Sequence, residues 1–372
     1  MPMNRPTATK RLLGSTVPAA LALLAMQPAA AQTPAEFYAG RTMTMIISAG
    51  AGGGYDVSAR IVAKHMAKFI PGNPTIVPRN MPGAGHAVAA QHMFSVAPQD
   101  GSAIATLGQN LPMAQLLEPE QIKFRTQDFN WLGNVSQSNN VTVAWHTAGI
   151  KTFEDVLTKQ LVIGAQGINS TSAQYPMAMN NMLGAKFRII SGYSGTQSIN
   201  LAMERGEVSG LGSNSWSTWK AQKPDWVKEG KIIPLVQMGL KRAPDLPNVP
   251  LLTELGKTKA EKQVFDLLSS GIVIGRPILT TPNVPADRVK VLREAFDKTM
   301  VDPGFIKDSE TAKLDIDPLS GVELQAYVEQ LVQIPPDVLK LVTAALTQKE
   351  TFDCLKLAKD QSLCEAPGKK SE

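Results

Sequence analysis

Four short segments rich in glycine, serine and threonine are the parts of this sequence best suited to bind a ligand. They span residues 50–56, 80–86, 167–172 and 191–196. Glycine lets the backbone turn sharply and lets a ligand approach the main-chain N–H groups, and each segment precedes a predicted helix whose N-terminal N–H groups favour an anion. The segments are therefore predicted to hold a small carboxylate through uncharged main-chain dipoles, without a fixed lysine or arginine.

Known catalytic and cofactor motifs do not fit these segments. Tyr55 stands where a dinucleotide-binding loop needs its third glycine, and no Walker sequence occurs. The four histidines lack metal-ligand spacing, and the sequence contains neither a Gly-x-Ser-x-Gly elbow nor a His-Glu-x-x-His helix. The sequence thus predicts no cofactor, no metal and no catalysis. The alternative is an exported hydrolase or lyase built on the fold described below.

The elements around the first two segments follow a strand, loop, helix order. Strands are predicted at residues 42–48, 75–77 and 102–107, and helices with one apolar face at residues 59–69 and 87–97. This βαβαβ order requires right-handed crossovers and a parallel sheet.

The same order returns about 120 residues later. Residues 161–165 and 187–190 are predicted strands, a third strand begins at Val208, and the helices between them end at Gly184 and Gly206. The duplication predicts an α/β protein with two domains. Ligands bind beyond the carboxyl ends of parallel strands, so a hinged cleft between the domains is the predicted site.

The third part of the chain is expected to return to the first domain, because a strand-like run at residues 271–280 is not followed by a third unit. Domain 1 is then residues 32–138 plus 272–372 and domain 2 is residues 139–271, with linkers near residues 136–142 and 269–273. A separate C-terminal helical domain is the alternative.

The N-terminus has the features of a secretory signal. Arg5, Lys10 and Arg11 precede an apolar run, and Ala29-Ala30-Ala31 is a sequence that signal peptidase accepts. Residues 1–31 are predicted to be removed after about Ala31, which places the mature protein in the periplasm. In that oxidising compartment Cys354 and Cys364 are expected to form a local disulfide, with free thiols as the alternative.

Charge and composition exclude other classes. The 372 residues are 43% hydrophobic and 19% charged, which is typical of a globular protein of two or three compact units. The formal net charge is +5, and three of the basic residues belong to the predicted signal. Nucleic acid is therefore not a predicted partner, because phosphate binding needs a clustered basic excess.

Several motifs, in order, resemble the Bug or TctC family, the extracytoplasmic solute receptors of tripartite tricarboxylate transporters. The matching stretches are residues 51–60, 80–85, 98–101, 192–195, 206–208 and 241–250. The resemblance implies a two-domain receptor of the periplasmic-binding-protein (Venus flytrap) type. Such a receptor closes on a small di- or tricarboxylate or aromatic acid and delivers it to membrane permease subunits. A receptor that feeds a sensor is a further possibility.

The resemblance also implies which residues bind the ligand. They are Gly53, Gly54, Tyr55, Asp56, Gly83, Ala84, Gly85, His86, Ser170, Thr171, Tyr193 and Ser194. Among them Asp56 is expected to stabilise its own loop rather than transfer protons. Tyr55 could stack on an aromatic acid or cover a small one, and His86 is the candidate for a pH-dependent contact.

Four positions depart from the family pattern. Tyr55 stands where the family has a small or hydroxyl residue, Met81 where it has arginine, His86 where it has a second glycine, and Ser209 where it often has aspartate. Because of these differences, the resemblance alone does not identify the ligand.

Overall fold

The computed structural model describes residues 1–3, 32–347 and 352–367. The predicted signal sequence falls almost wholly on residues outside these ranges. Within them, no helix is long and apolar enough to cross a membrane. The strands are β1 Thr42–Ile47, β2 Thr75–Asn80, β3 Ala103–Thr106, β4 Asn130–Asn134, β5 Asn140–Trp145, β6 Leu161–Ala165, β7 Phe187–Ser191, β8 Gly210–Ser215, β9 Ile232–Met238, β10 Pro277–Thr280 and β11 Leu319–Ser320. The helices are α1 Pro34–Tyr38, α2 Gly54–Met66, α3 Ala87–Ser95, α4 Leu111–Leu117, α5 Phe153–Thr158, α6 Thr171–Leu183, α7 Thr196–Glu204, α8 Trp216–Gln222, α9 Pro224–Lys228, α10 Lys259–Ser270, α11 Ala286–Met300, α12 Pro303–Thr311, α13 Gly321–Leu331, α14 Pro336–Leu346 and α15 Cys354–Leu357.

The first sheet has the strand order β11-β4-β10-β3-β1-β2. Strands β2, β1 and β3 are parallel, and β10 runs antiparallel between β3 and β4. The predicted parallel βαβαβ unit is therefore present, and it is extended by antiparallel strands from later in the chain. We call this sheet and the helices packed on it the first lobe.

Strand β1 shows why this sheet is covered on both faces. Met43, Met45 and Ile47 are buried on one face against α2 and α11, while Ile46 is buried on the other face with residues of α3. Alternate side chains of a strand point to opposite faces, so a strand with buried apolar side chains on both faces requires helices on both sides.

The second sheet repeats the arrangement, with the strand order β7-β6-β8-β5-β9. Strands β7, β6 and β8 are parallel, and β5 is antiparallel to both β8 and β9. This sheet and its helices form the second lobe. The two lobes confirm the two-domain α/β fold that the duplication predicts.

The strand predicted at residues 271–280 is only half correct. A 3₁₀ turn occupies Gly271–Val273, and the strand begins at Pro277. Gly275 has a left-handed backbone, with φ of +51°, and the N–H of Arg276 is bound by the Asn134 side chain at 2.8 Å. An apolar run by itself does not distinguish a buried turn from a buried strand.

Within residues 32–347 the chain crosses between the lobes three times. It leaves the first sheet after Asn134, enters the second sheet at Asn140, and is back in the first sheet at Pro277. The third crossing follows α13, whose Leu324 and Val328 pack on the first lobe. We propose that these crossings form the hinge.

The C-terminal segment corrects the expectation that residues 272–372 all belong with the first domain. The apolar side of α14, including Leu341, Val342 and Ala345, packs in the core of the second lobe with Phe265 of α10. Cys354 and Leu363 pack against the same core. Helix α14 carries an apolar stripe that a lone surface helix would expose, and the second lobe is where the structure buries it.

Cys354 and Cys364 are joined by a disulfide that closes this segment. For a sequence separation of 10, the loss of chain entropy in the unfolded state corresponds to about 3 kcal/mol.

We expect the Cys354→Ser/Cys364→Ser double variant to release the segment and to be cut by trypsin at exposed Lys356 many times faster than the parent protein. Limited proteolysis with mass spectrometry measures this. Equal cleavage rates would show that packing alone holds the segment, and ligand affinity should stay unchanged because neither cysteine lines the cavity described below.

Candidate functional site

The first and fourth glycine loops meet across the gap between the lobes. The N–H of Gly50 donates to the carbonyl oxygen of Ser194 at 3.0 Å. The side chain of Gln197, in the first turn of α7, donates to the carbonyl oxygen of Gly52 at 3.1 Å. Two loops that are 140 residues apart in the sequence are therefore in direct contact.

The second and third loops meet even more closely. A Cβ added at Gly167 would lie 2.6 Å from the main-chain nitrogen of Gly85, and one added at Gly85 would lie 2.8 Å from that of Ser170. The side chain of Asn110 donates to the carbonyl oxygens of Gly85 and Asn169, at 3.2 and 2.5 Å. Glycine at position 167 is thus what lets the two backbones approach each other.

A cavity that is partly open to solvent lies between the lobes beside these loops. Amide side chains and the hydroxyls of serine and threonine make up most of its lining. The amides are Gln109, Asn110, Asn140, Gln166 and Asn214. Tyr55, His86 and Arg276 also line it, and among the described residues no aliphatic side chain and no carboxylate does so.

Arg276 supplies a positive charge to this cavity. Arg276 is 6% exposed. Its Nη2 donates to Thr218 Oγ1 at 2.6 Å and forms longer hydrogen bonds to the hydroxyls of Ser215 and Ser217. Burial lowers the pKa of the guanidinium, but its ordinary pKa is so high that we expect the group to stay protonated. Arg276 precedes β10 of the first lobe, and Thr218 lies on α8 of the second, so this side chain joins the two lobes.

This arginine corrects the expectation that main-chain dipoles act without a fixed cation. Sequence reasoning missed it because residues 271–280 were interpreted only as a strand. The available signal was a single arginine inside an otherwise apolar run, since a lone cation there must be buried with polar partners.

Several polar atoms of the lining have no hydrogen-bond partner among the described residues. They are Gln109 Nε2, Ser136 Oγ, Ser213 Oγ, Asn214 Nδ2 and Arg276 Nη1. A buried polar group without a partner costs about 1–3 kcal/mol, and more when it is charged. Water or a polar ligand can satisfy such a cluster.

Tyr55 is held by the main chain of the hinge region. Its hydroxyl donates to the carbonyl oxygen of Gly275 at 3.1 Å and accepts from the N–H of Gln109 at 3.2 Å. Burial raises the pKa of this phenol. The ring centroid lies 5.4 Å from that of His86, so Tyr55 forms a fixed wall of the cavity.

Asp56 stabilises the first loop, in line with the role expected for it. Its carboxylate accepts from the N–H of Gly52 at 2.9 Å, from Arg60 at 2.9 Å and from Asn80 at 2.8 Å. Despite partial burial, the pKa of this carboxyl is lowered by the bonds from Arg60, Gly52 and Asn80. Asp56 does not line the cavity and organises the loop from behind.

The other predicted site residues divide into three groups. Gly54 and Thr171 line the cavity with Tyr55 and His86. A second, more open depression is lined by Gly83, Ala84, Gly85, Tyr193 and Ser194. Gly53 and Ser170 line neither, and Ser170 instead shapes the third loop by donating to the carbonyl oxygen of Gly167 at 2.6 Å.

His86 is buried against the end of β1. Its Nδ1 lies 2.9 Å from Ser48 Oγ and 3.1 Å from the Ser48 carbonyl oxygen. Burial lowers the pKa of the imidazole from 6.5 to about 4, although the bonds to Ser48 and Gln166 oppose this change. Its backbone has φ of +82°, a conformation that glycine adopts most readily.

The lowered pKa predicts a pH-dependent stability. Below pH 6.5 the unfolded chain binds a proton at His86 that the folded protein takes up only near pH 4. The free energy of unfolding therefore falls as the pH is lowered through this window, by about 3 kcal/mol in total. Asparagine tolerates the left-handed backbone at this position. Between pH 7 and pH 5 we therefore expect the free energy of unfolding of the His86→Asn variant to fall by about 2 kcal/mol less than that of the parent. Urea unfolding at the two pH values measures this, and parallel losses in both proteins would contradict it.

Two lobes joined by several crossings, with a polar cavity between them, define the class of two-domain periplasmic binding proteins. The family model described as "Tripartite tricarboxylate transporter family receptor" matches residues 58–335. The chain therefore belongs to the TctC, or Bug, family of solute-binding receptors, as the sequence motifs suggest.

Individual relatives agree with this assignment. The chain is 28% identical over 312 residues to the "UPF0065 protein in gbd 5'region" of Cupriavidus necator, covering 81% of this chain and 87% of the relative. The periplasmic binding protein BugD has the same fold, with a TM-score of 0.66, 20% identity and coverage of 83% of this chain and 98% of BugD. MatC from Rhodopseudomonas palustris, solved with malate, has a TM-score of 0.64 and 20% identity, covering 80% of this chain and 99% of MatC.

Proposed function

We propose that the protein is an exported receptor that captures a small organic carboxylate between its lobes and delivers it to membrane permease subunits. The observation that carries this proposal is Arg276, a buried guanidinium whose Nη1 has no partner among the described residues. The described lining holds no carboxylate that would neutralise it. The ligand is therefore expected to bring the missing negative charge.

Electrostatics link this charge to closure of the lobes. Burying an unpaired charge is costly, whereas a carboxylate that pairs with it forms hydrogen bonds worth about 1.5–3 kcal/mol each. Because Arg276 contacts Thr218 across the gap at 2.6 Å, an anion beside it stabilises the arrangement in which the lobes are in contact. An empty receptor would favour separated lobes, in which water solvates the guanidinium.

The relatives support the type of ligand and the transport role. MatC holds malate, a small carboxylate, on the same fold, and the description of the family names a transporter receptor. Delivery to a permease and export are our proposal for this chain on that basis.

Binding without turnover is part of the same proposal. A nucleophile needs an activating base that a third group orients. His86 contacts the hydroxyl of Ser48 at 2.9 Å, but the same nitrogen also faces the Ser48 carbonyl oxygen. Within the described residues, no carboxylate orients this pair.

Calorimetry on the mature protein tests the proposal. Small mono-, di- and tricarboxylic acids would each be titrated beside the matching primary amide. We expect at least one acid to bind with a micromolar dissociation constant, and its amide to bind at least about 100-fold more weakly, because the amide cannot neutralise Arg276. The absence of binding by every acid, equal binding of an acid and its amide, or conversion of a bound acid would each overturn it.

A further inference from the structure

We infer that the ligand is a polyhydroxylated monocarboxylate of sugar-acid type. This inference rests on the proposed function and narrows it. It depends on three properties of the cavity: one positive charge, a lining of neutral hydrogen-bonding side chains, and the absence of aliphatic side chains among its described residues.

The charge of the lining favours a single carboxylate. Arg276 can neutralise one carboxylate, and the described lining contains no lysine or second arginine for another. A second carboxylate would be desolvated without a counterion. An ammonium group would likewise lack an acidic partner, which disfavours amino acids.

The neutral part of the lining favours hydroxyl groups. Serine and threonine hydroxyls and carboxamides both donate and accept hydrogen bonds, as do the hydroxyls of a sugar acid. An alkyl chain or an aromatic ring in the same place would remove these groups from water without replacing their hydrogen bonds. Ordinary pockets for such ligands are lined mainly by apolar side chains.

Polar atoms without hydrogen-bond partners lie on both sides of the cavity, not only at Arg276. Gln109 and Ser136 come from the first lobe and the crossing that follows it, whereas Ser213 and Asn214 come from β8 of the second lobe. Gln109, Ser136 and Ser213 are all buried. A ligand with polar groups along its length can satisfy atoms on both sides of the cavity.

A rival ligand would place an alkyl tail in a neighbouring depression. The apolar part of its lining is Met113, Leu267, Leu268 and Leu331, and it shares Gln109, Asn110 and Thr171 with the cavity. A tail that reaches this depression would therefore pass these three polar residues. Hexanoate tests this rival directly.

Competition calorimetry separates these possibilities. Four hexose-derived acids (D-gluconate, D-galactonate, D-mannonate and D-glucuronate) would be compared with hexanoate, benzoate, adipate, malate and the neutral polyol sorbitol. We expect one of the four sugar acids to bind at least about 100-fold more tightly than hexanoate, because a site built for hydroxyls strongly rejects an analogue without them. Sorbitol, which lacks the carboxylate, should not bind detectably.

Variants of the neutral lining give a second readout. Ser213→Ala is expected to weaken binding of that sugar acid about 10-fold through the loss of one hydrogen bond. Ser209→Ala, on the same lobe but outside the cavity lining, should change it less than twofold. Equal effects of the two variants would argue against hydroxyl recognition at Ser213.

Each remaining outcome is decisive. Tighter binding of hexanoate, benzoate, adipate or malate than of every sugar acid would overturn the inference and leave the proposed function intact. If sorbitol bound as tightly as the sugar acids, or if none of the acids bound, both the inference and the proposed function would be overturned.

Discussion

Replacing Arg276 by methionine is expected to abolish high-affinity binding of the carboxylate ligand. The side chain keeps much of its length and loses the charge that the anion neutralises. Removing one partner of a buried ion pair costs about 3–5 kcal/mol, which corresponds to a loss of affinity of roughly 100-fold to several thousand-fold. Calorimetry with the best acid from the panel measures this loss.

The stability of the empty Arg276→Met protein distinguishes a binding defect from misfolding. In the empty receptor the lobes are expected to separate and water to solvate the guanidinium, so the substitution should leave the melting temperature of the empty protein close to that of the parent. The rise in melting temperature that the ligand causes in the parent should disappear.

Two further variants control for charge and geometry. Arg276→Lys keeps the charge but lacks the planar fork of the guanidinium, so we expect intermediate affinity. Arg205→Met removes a charge whose side chain is 68% exposed on the second lobe, and it should bind like the parent. Affinity of Arg276→Met within threefold of the parent would refute the role assigned to this residue.

Gly167→Ala should prevent the lobes from coming together. The added Cβ would lie 2.6 Å from the main-chain nitrogen of Gly85 in the opposite lobe, a contact that no side-chain rotation can relieve. Gly167 does not have a left-handed backbone, so alanine fits its loop while the lobes are apart. Because the ligand contacts both lobes, we expect affinity to fall by about 100-fold or more.

Small-angle scattering shows whether closure itself is lost. The parent should become more compact when the ligand is added, and Gly167→Ala should not. Ser209→Ala, on the second lobe and outside both the cavity lining and the crossings, is the control and should become compact like the parent. Compaction of Gly167→Ala equal to that of the parent would show that the 2.6 Å approach is not needed for binding.

The fold could be predicted from the sequence because its signals are local. Residues 161–165 form an apolar run between turn signals, and the structure has β6 at the same bounds. The glycine loops at residues 50–56 and 167–172 were recognisable for the same reason. Strand, loop and helix each leave a pattern within about ten residues.

The chemistry of the cavity could not be predicted, because it is built from distant positions. Gln109 lies between β3 and α4, Asn214 lies in β8, and Arg276 comes just before β10. Nothing in their sequence neighbourhoods marks them as partners. The place of α14 was missed for a related reason. An apolar stripe predicts that a helix face is buried but does not specify which surface buries it.

We propose that the three crossings between the lobes limit how the lobes can move. Because a body tethered at three points has little freedom to twist or slide, we expect opening to occur mainly by bending about one axis. A pair of dyes, one on each lobe, would then report capture of the ligand as a change in a single distance. The same tethering makes the protein a suitable scaffold for an optical reporter of its own ligand.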